Sequence, residues 1–209
     1  MSIKLLIKKL NITDEKFIIS DLFREYCKKL NIEYYGAIRY LITHKYVYRI
    51  LRGIFYKPGF EERKLKKIDI DYKKAIAEAL KIKKIRNWYF GLESALKLNN
   101  ITHEYFATDF LISDTLFRAN TITILGHEIR FIKIKKDLCK FGVKEKELRF
   151  SDLEKTVLDI IYLSRYDNLS DIEIKNKITN LLGYCSKNKL LKYSKKYNQK
   201  VYSFVKEIS

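Results

Sequence analysis

The sequence predicts an α+β protein in two parts: a small N-terminal unit of helices closed by a hairpin, then a larger mixed helix–strand domain. Three observations predict it. Helical periodicity runs through His44 and gives way at Val47 to two short strands pivoting on Gly53. Glu61 to Lys67 is densely charged and has no apolar stripe, as a linker would be. Beyond it, helical stripes alternate with clusters of β-branched and aromatic residues. The expected division is therefore 1–60, a linker 61–67, and 68–209. With 209 residues, 47% of them hydrophobic, each part can bury a core.

In the first part, Ser2 to Leu10 reads as a short amphipathic helix. Ser20 is placed to N-cap a second helix, Asp21 to Leu30, with the acid in its first turn and Lys28-Lys29 in its last, as the macrodipole prefers. Phe23, Cys27 and Leu30 share one stripe, and Asn31-Ile32 makes the turn into a third helix, about Glu33 to His44. There Ile38, Leu41 and Ile42 point inward, which leaves Tyr35, Gly36, Arg39, Tyr40 and Thr43 on the outward face. Strands Val47 to Arg52 and Ile54 to Lys57 follow, and Pro58-Gly59 closes the unit. Helix, helix, turn, helix, hairpin within about 60 residues is winged helix-turn-helix order.

Charge singles out the same segment. Residues 34–60 contain no Asp or Glu but carry Arg39, Lys45, Arg49, Arg52 and Lys57. A surface free of carboxylates can lie on a phosphate backbone without repelling it. The net charge of +18 alone says less, because Lys- and Ile-rich chains also arise from AT-biased genomes or life at high temperature. Position is more telling: residues 1–60 hold 12 Lys/Arg against 5 Asp/Glu, a net of +7, and residues 61–209 hold 31 against 20, a net of +11. The expected partner is double-stranded DNA. The expected contacts are Ser20, Tyr35, Gly36, Arg39, Tyr40, Thr43, His44, Lys45, Arg49, Arg52 and Lys57, with Arg39 forking to guanine and Arg49, Arg52 and Lys57 holding phosphates. A bland solvent-facing surface is the competing reading of these residues.

In the second part, Ala75 to Lys81 and Asn87 to Leu98 read as helices, and Phe106 to Ile112, Thr121 to Leu125 and Ile129 to Ile134 as strands, with a turn at Gly126-His127. Ser151 to Leu163 is expected as a helix capped by Ser151, with Glu154 completing the box. Ser170 to Leu182 is another, stopped by Gly183, and Asn188 to Ile208 is one long final helix. A second acid-free run, Gly183 to Lys206, carries seven lysines. It reads as a solvated face, a second DNA contact or a docking face for an acidic partner.

Other chemistries find little support. His103-Glu104 and His127-Glu128 open like a zinc-protease helix, but neither is followed by the second His four residues on. No glycine pattern makes a phosphate loop, and no cofactor or metal is expected. Asp109, Asp114 and Glu128 are the best candidates for a metal-dependent nuclease, although acids at strand ends are more often turn residues. Cys27, Cys139 and Cys185 are odd in number and far apart, as free thiols in a reducing cytoplasm would be. The N-terminus is too short and too often charged for a signal segment, and no run approaches the ~18–20 apolar residues of a membrane span.

The run Tyr40-Leu41-Ile42-Thr43-His44-Lys45-Tyr46-Val47-Tyr48-Arg49-Ile50-Leu51-Arg52-Gly53-Ile54-Phe55-Tyr56 resembles the helix-to-wing segment of the AbiEi-type antitoxin regulators of abortive-infection, type IV toxin–antitoxin systems. In that family an arginine-flanked glycine precedes an aromatic-ended strand. The likeness continues through Trp88-Tyr89-Phe90-Gly91-Leu92-Glu93-Ser94-Ala95-Leu96, through Phe150 to Asp159, and through Leu190 to Tyr197. The resemblance implies an operon repressor whose C-terminal domain neutralises a nucleotidyltransferase-like toxin. A stand-alone winged-helix transcription factor, with a second domain that senses a ligand or forms a homodimer, is the first alternative; the nuclease is the second.

Overall fold

The computed structural model describes residues 3–208. It is a mixed α+β structure with, among the described residues, ten α-helices and two sheets. The chain divides into two compact units, one of residues up to Lys84 together with Thr123–Gly126, the other of Ile85–Ile122 and the chain from His127 onward.

Unit 1 begins with helix α1 (Ile3–Ile12), which buries Leu6 and Leu10; the expected start at Ser2 lies outside the described residues. Strand β1 (Phe17–Ile19) was not legible as a strand, because three residues show no periodicity. Helix α2 (Ser20–Leu30) buries Phe23 and Cys27, one turn apart, and ends where Asn31 takes φ +51°. Helix α3 (Tyr34–Thr43) buries Ala37, Ile38 and Leu41. Strands β2 (Tyr48–Leu51) and β3 (Ile54–Tyr56) turn on Gly53, whose φ of +80° favours glycine. The three strands form a sheet in the order β1-β3-β2, both pairings antiparallel. Phe55 meets Phe23 edge to face at 5.2 Å, tying the sheet to α2.

The expected linker at 61–67 is instead structured. Helix α4 (Phe60–Lys64) places Glu62 only 5% exposed, where it accepts hydrogen bonds from the Tyr56 hydroxyl (2.8 and 2.9 Å) and from the amides of Gly59 (2.7 Å) and Asp69 (2.9 Å). Helix α5 (Tyr72–Ile82) then packs on β2 with Ala75, Ile76, Ala79 and Leu80 buried. The first unit therefore extends to Lys84 rather than Phe60, because a buried carboxylate and an apolar stripe beyond it complete its core.

The second sheet is mixed and comprises β4 (Trp88–Gly91), β5 (Thr108–Ser113), β6 (Ile122–Ile124), β7 (His127–Lys133), β8 (Val143–Glu145) and β9 (Arg149–Ser151). Its order is β6-β7-β5-β4-β9-β8; β4 is antiparallel to β5 and parallel to β9, and β5 is parallel to β7. Asn87 to Leu98, expected as one helix, is strand β4 followed by helix α6 (Leu92–Leu98). All four residues of β4 are buried, as in a central strand. The hairpin before β7 turns on Leu125 and Gly126, both with positive φ.

Helix α7 (Leu153–Tyr166) lies at the centre of unit 2, packed by α6, α8 (Asp171–Leu182), α9 (Lys187–Ser194) and α10 (Gln199–Ile208). Asp152, not Ser151, caps α7 by accepting from the Lys155 amide; Ser151 is the last residue of β9 and bonds Thr156 instead. Ser170 and Glu173 form a capping box on α8, and Gly183 ends it in an ordinary right-handed conformation. The expected single helix Asn188 to Ile208 breaks into α9 and α10. Asn198 accepts from the Val201 amide at the new start, and the Tyr197 hydroxyl turns inward to Asp159 at 2.7 Å.

That contact belongs to a buried polar network. Lys155 Nζ, fully buried, lies 2.7 Å from Asp159 Oδ1 and donates to the Tyr197 hydroxyl at 2.8 Å. Tyr89 donates to the other Asp159 oxygen at 2.8 Å, and the rings of Tyr89, Phe141 and Tyr197 lie about the ammonium at 4.9, 5.0 and 5.2 Å. Burial, then the Asp159 charge, pushes both Tyr89 and Tyr197 well above the usual phenol range, so each remains a donor.

Candidate nucleic-acid interface

Helix α3 owes its start to Glu33. Its carboxylate accepts from the amides of Tyr35 and Gly36, and these bonds hold the acid below its ordinary range. A Cβ at Gly36 would meet Glu33 Oε2 at 2.9 Å, so the glycine makes room for the cap. The orphan amides at this helix end are thus already occupied by the chain's own anion. The helix ends by left-handed turning at Lys45 (φ +56°), with the Tyr46 amide returning to Leu41.

Between these ends, Tyr35, Gly36, Arg39, Tyr40, Thr43, His44 and Lys45 are all exposed. Two of them are large rings in water, Tyr35 at 68% and Tyr40 at 36% exposure. His44 stacks on Tyr40 at 4.0 Å with its Nδ1 3.0 Å from the Tyr40 carbonyl oxygen, and the Tyr46 ring lies near parallel to Tyr40 at 6.4 Å. Arg49 and Arg52, on β2 and at the hairpin turn, are exposed too, with the Arg49 guanidinium 5.7 Å from the Phe55 ring.

Two expected contacts sit elsewhere. Lys57 is 9% exposed, and its ammonium donates to the carbonyls of Leu10 and Thr13, holding α1 to the end of β3; burial lowers its pKa. It cannot hold a phosphate in this position. Ser20 is half-buried and does not cap α2, since Ile19 occupies the cap position without a side-chain bond. Its amide donates to the Gly53 carbonyl at 2.9 Å, and its Oγ lies against Gly53, so it braces the hairpin turn.

Three cations escaped sequence reading. Arg24 on α2 lies 4.2 Å from the Tyr34 ring and 6.0 Å from the Tyr35 ring, beside the start of α3. Arg63 and Lys66 line, with Thr43, His44, Lys45, Tyr46 and Glu62, a cleft of about 460 Å³. The charged run 61–67 was the only signal of Arg63 and Lys66, and it concealed them by resembling a linker.

The other candidates do not assemble. Asp109 accepts from Ser94 Oγ at 2.6 Å, Asp114 from Asn87 Nδ2 at 2.6 Å, and Glu128 faces Thr108 Oγ1 at 3.3 Å. Among the described residues no group of three or more His, Cys, Asp or Glu is arranged to hold a metal. In the basic run Gly183 to Lys206, Lys189 is committed to Asp152 (3.0 Å) and Glu154 (2.8 Å), and Lys196 lies 4.4 Å from the Phe141 ring, so the run is not one uniform solvated face. All three cysteines are free, Cys27 and Cys139 buried. No described helix is long and apolar enough to cross a membrane.

No family model and no curated protein matches the chain. Among solved structures, it is similar to the RV2827C protein from Mycobacterium tuberculosis. That likeness has a TM-score of 0.55 at 10% identity and covers 97% of this chain and 74% of the other. At that identity it is a likeness of fold.

Proposed function

We propose that the chain is a sequence-specific DNA-binding repressor, that the segment α2-α3-β2-β3 is its winged helix-turn-helix, and that it serves as the antitoxin of a type IV toxin–antitoxin operon. One observation carries the DNA-binding part. Arg39, Lys45, Arg49 and Arg52 are exposed on consecutive elements of a stretch without a carboxylate, beside exposed Tyr35, Tyr40 and Thr43. Cations without neighbouring acids neutralise phosphates, and outward side chains on a helix after a tight turn can enter a major groove. The antitoxin part rests on the family resemblance, which implies a nucleotidyltransferase-like toxin as the partner of unit 2.

The test is a salt titration of duplex binding. Log K should fall by roughly 0.9 for each phosphate neutralised, per tenfold rise in salt. Arg52→Ala should weaken operator and random DNA alike and shrink the slope by about one unit, whereas Arg39→Ala should cost about 1–3 kcal/mol on the operator and flatten sequence preference. Lys57→Met, which alters a buried amine, should leave the slope of the folded protein unchanged. Salt-independent binding, or equal loss for all three variants, would refute the interface.

A second reading, a regulator that senses a small ligand, is favoured by one feature of unit 2. A cleft of about 630 Å³ is lined by Leu92, Leu96, Phe106, Phe110 and Leu163 together with Glu93, Glu104, Asp167 and Lys177. That is a ligand-sized volume whose lining combines apolar side chains with a few polar and charged groups.

A further inference from the structure

Unit 2 leaves two large rings in water at the mouth of one cleft. Phe117 is 60% exposed and Tyr166 66% exposed, and exposed apolar surface gathered in one place, unlike a single exposed ring, marks a binding site. Both line a cleft of about 540 Å³ together with Lys133, Lys135 and Tyr162. The lining holds two exposed lysines and no carboxylate. The acid nearest the two lysines in sequence, Asp137, is paired with Lys140 at 2.8 Å, and neither Asp114 nor Asp167 is among the lining residues.

The walls are held in place from below. Tyr162 is buried on α7, meets the Tyr166 ring edge to face at 5.1 Å, and shares a hydroxyl contact with it at 3.2 Å, so Tyr166 is oriented one helical turn from a fixed partner. Burial, then the hydrogen bond to Tyr166, pushes the Tyr162 phenol up, and it adds no negative charge. Lys133 ends β7 and Lys135 stands two residues beyond it, both on the rim of the sheet.

Exposed rings and exposed ammonium groups in one concave site match a ligand that is flat and aromatic at one end and anionic at the other. Base–aromatic stacking tolerates any base, and lysines take phosphate as point charges. We propose that this cleft binds a nucleotide, its base against Phe117 and Tyr166 and its phosphates at Lys133 and Lys135, either as a free nucleotide or as a unit of a single strand. The site is separate from the duplex-binding surface proposed above and does not rest on it.

Isothermal titration of the full chain with ATP, adenosine, inorganic tripolyphosphate and the oligonucleotide dA8 tests this. ATP or dA8 should bind better than adenosine and better than tripolyphosphate, since each of those offers half the ligand. Phe117→Ala and Tyr166→Ala should each weaken binding by about 5- to 150-fold, the factor carried by one base–aromatic stack. Phe117→Tyr should restore it. The double change Lys133→Ala and Lys135→Ala should bring ATP down to the level of adenosine. Tyr105→Ala, at a ring 85% exposed outside the cleft, should change nothing. Binding of dA8 more than tenfold tighter than ATP, and weakened by Phe117→Ala and Tyr166→Ala, would identify the strand as the source, and ATP tighter than dA8 a free nucleotide. Tripolyphosphate binding as tightly as ATP, binding undiminished in both aromatic variants, or no binding of ATP and dA8 would overturn the proposal. Because the probes are single-stranded or mononucleotide, loss of duplex binding elsewhere cannot produce these results.

Discussion

Replacing Lys155 by Met keeps the length of the side chain but removes the cation from a position where both it and Asp159 are buried. Asp159 would then stay buried with two phenol donors, from Tyr89 at 2.8 Å and Tyr197 at 2.7 Å, and no counter-charge. Removing one partner of a buried pair costs about 3–5 kcal/mol, because the remaining charge is uncompensated. The two surviving hydroxyl donors place the expected loss toward the lower end, about 3 kcal/mol. With a urea slope of roughly 1–3 kcal/mol per molar, the midpoint should drop by about 1–3 M. Asp159→Asn should be similarly costly, since it strands the ammonium while keeping an acceptor for the phenols. The double variant should cost at least about 2 kcal/mol less than the sum of the two, because neutralising both ends removes the unpaired charge. Trp88 is the sole tryptophan and only 6% exposed on β4, so its fluorescence reports the unfolding of unit 2 directly. Additivity within about 0.5 kcal/mol would show that the ion pair contributes nothing beyond packing, and the account of this core would be wrong.

Two further outcomes follow from other parts of the chain. Burial alone would raise the pKa of Glu62, but the amides of Asp69 and Gly59 and the Tyr56 hydroxyl outweigh it, and the net shift is downward. A depressed carboxyl adds stability that is present above its unfolded value, about 4.3, and is lost as pH falls through the folded value. Glu62→Gln should therefore cost unit 1 about 1.5–3 kcal/mol at pH 7 and much less near pH 3, read by amide exchange of β3; an equal loss at both would refute the ionised role. If unit 2 acts as the antitoxin proposed above, the double change Arg39→Ala and Arg52→Ala should still protect cells in a growth assay against a nucleotidyltransferase-like toxin. Loss of protection with the protein folded and abundant would tie antitoxicity to DNA binding.

How much of this could be read beforehand depended on how far each signal reached along the chain. The stripes of α2 and α3, the glycine turn at Gly53 and the acid-free run are short-range patterns, and they stand close to where periodicity puts them. The outward face of α3 was legible for the same reason, since helical spacing alone decides which residues share a side. The caps were less legible. Ser20 and Ser151 have the residue type of an N-cap, yet each is drawn off by a neighbour distant in sequence or by the end of a strand, and Ile19 and Asp152 hold those positions. Strand β4 was mistaken for a helix because a strand buried on both faces has no alternation to betray it.

Lys57 marks the boundary between the two kinds of knowledge. Composition and local pattern assign it a positive charge in a basic hairpin, and that much needs no coordinates. Whether the charge meets solvent depends on α1 and the residue after it, more than forty residues earlier in the chain, where the carbonyls of Leu10 and Thr13 capture the ammonium. The same holds for Glu62, a linker acid by its neighbours and a buried hub by its partners, and for the Lys155–Asp159 pair, spaced like any surface i,i+4 bridge but enclosed by Tyr89, Phe141 and Tyr197. Sequence periodicity reports how a segment divides between inside and outside. It carries no record of which distant segment covers it, so the burial of charges and the convergence of Phe117, Lys133 and Tyr166 on one cleft appear only when the chain is folded.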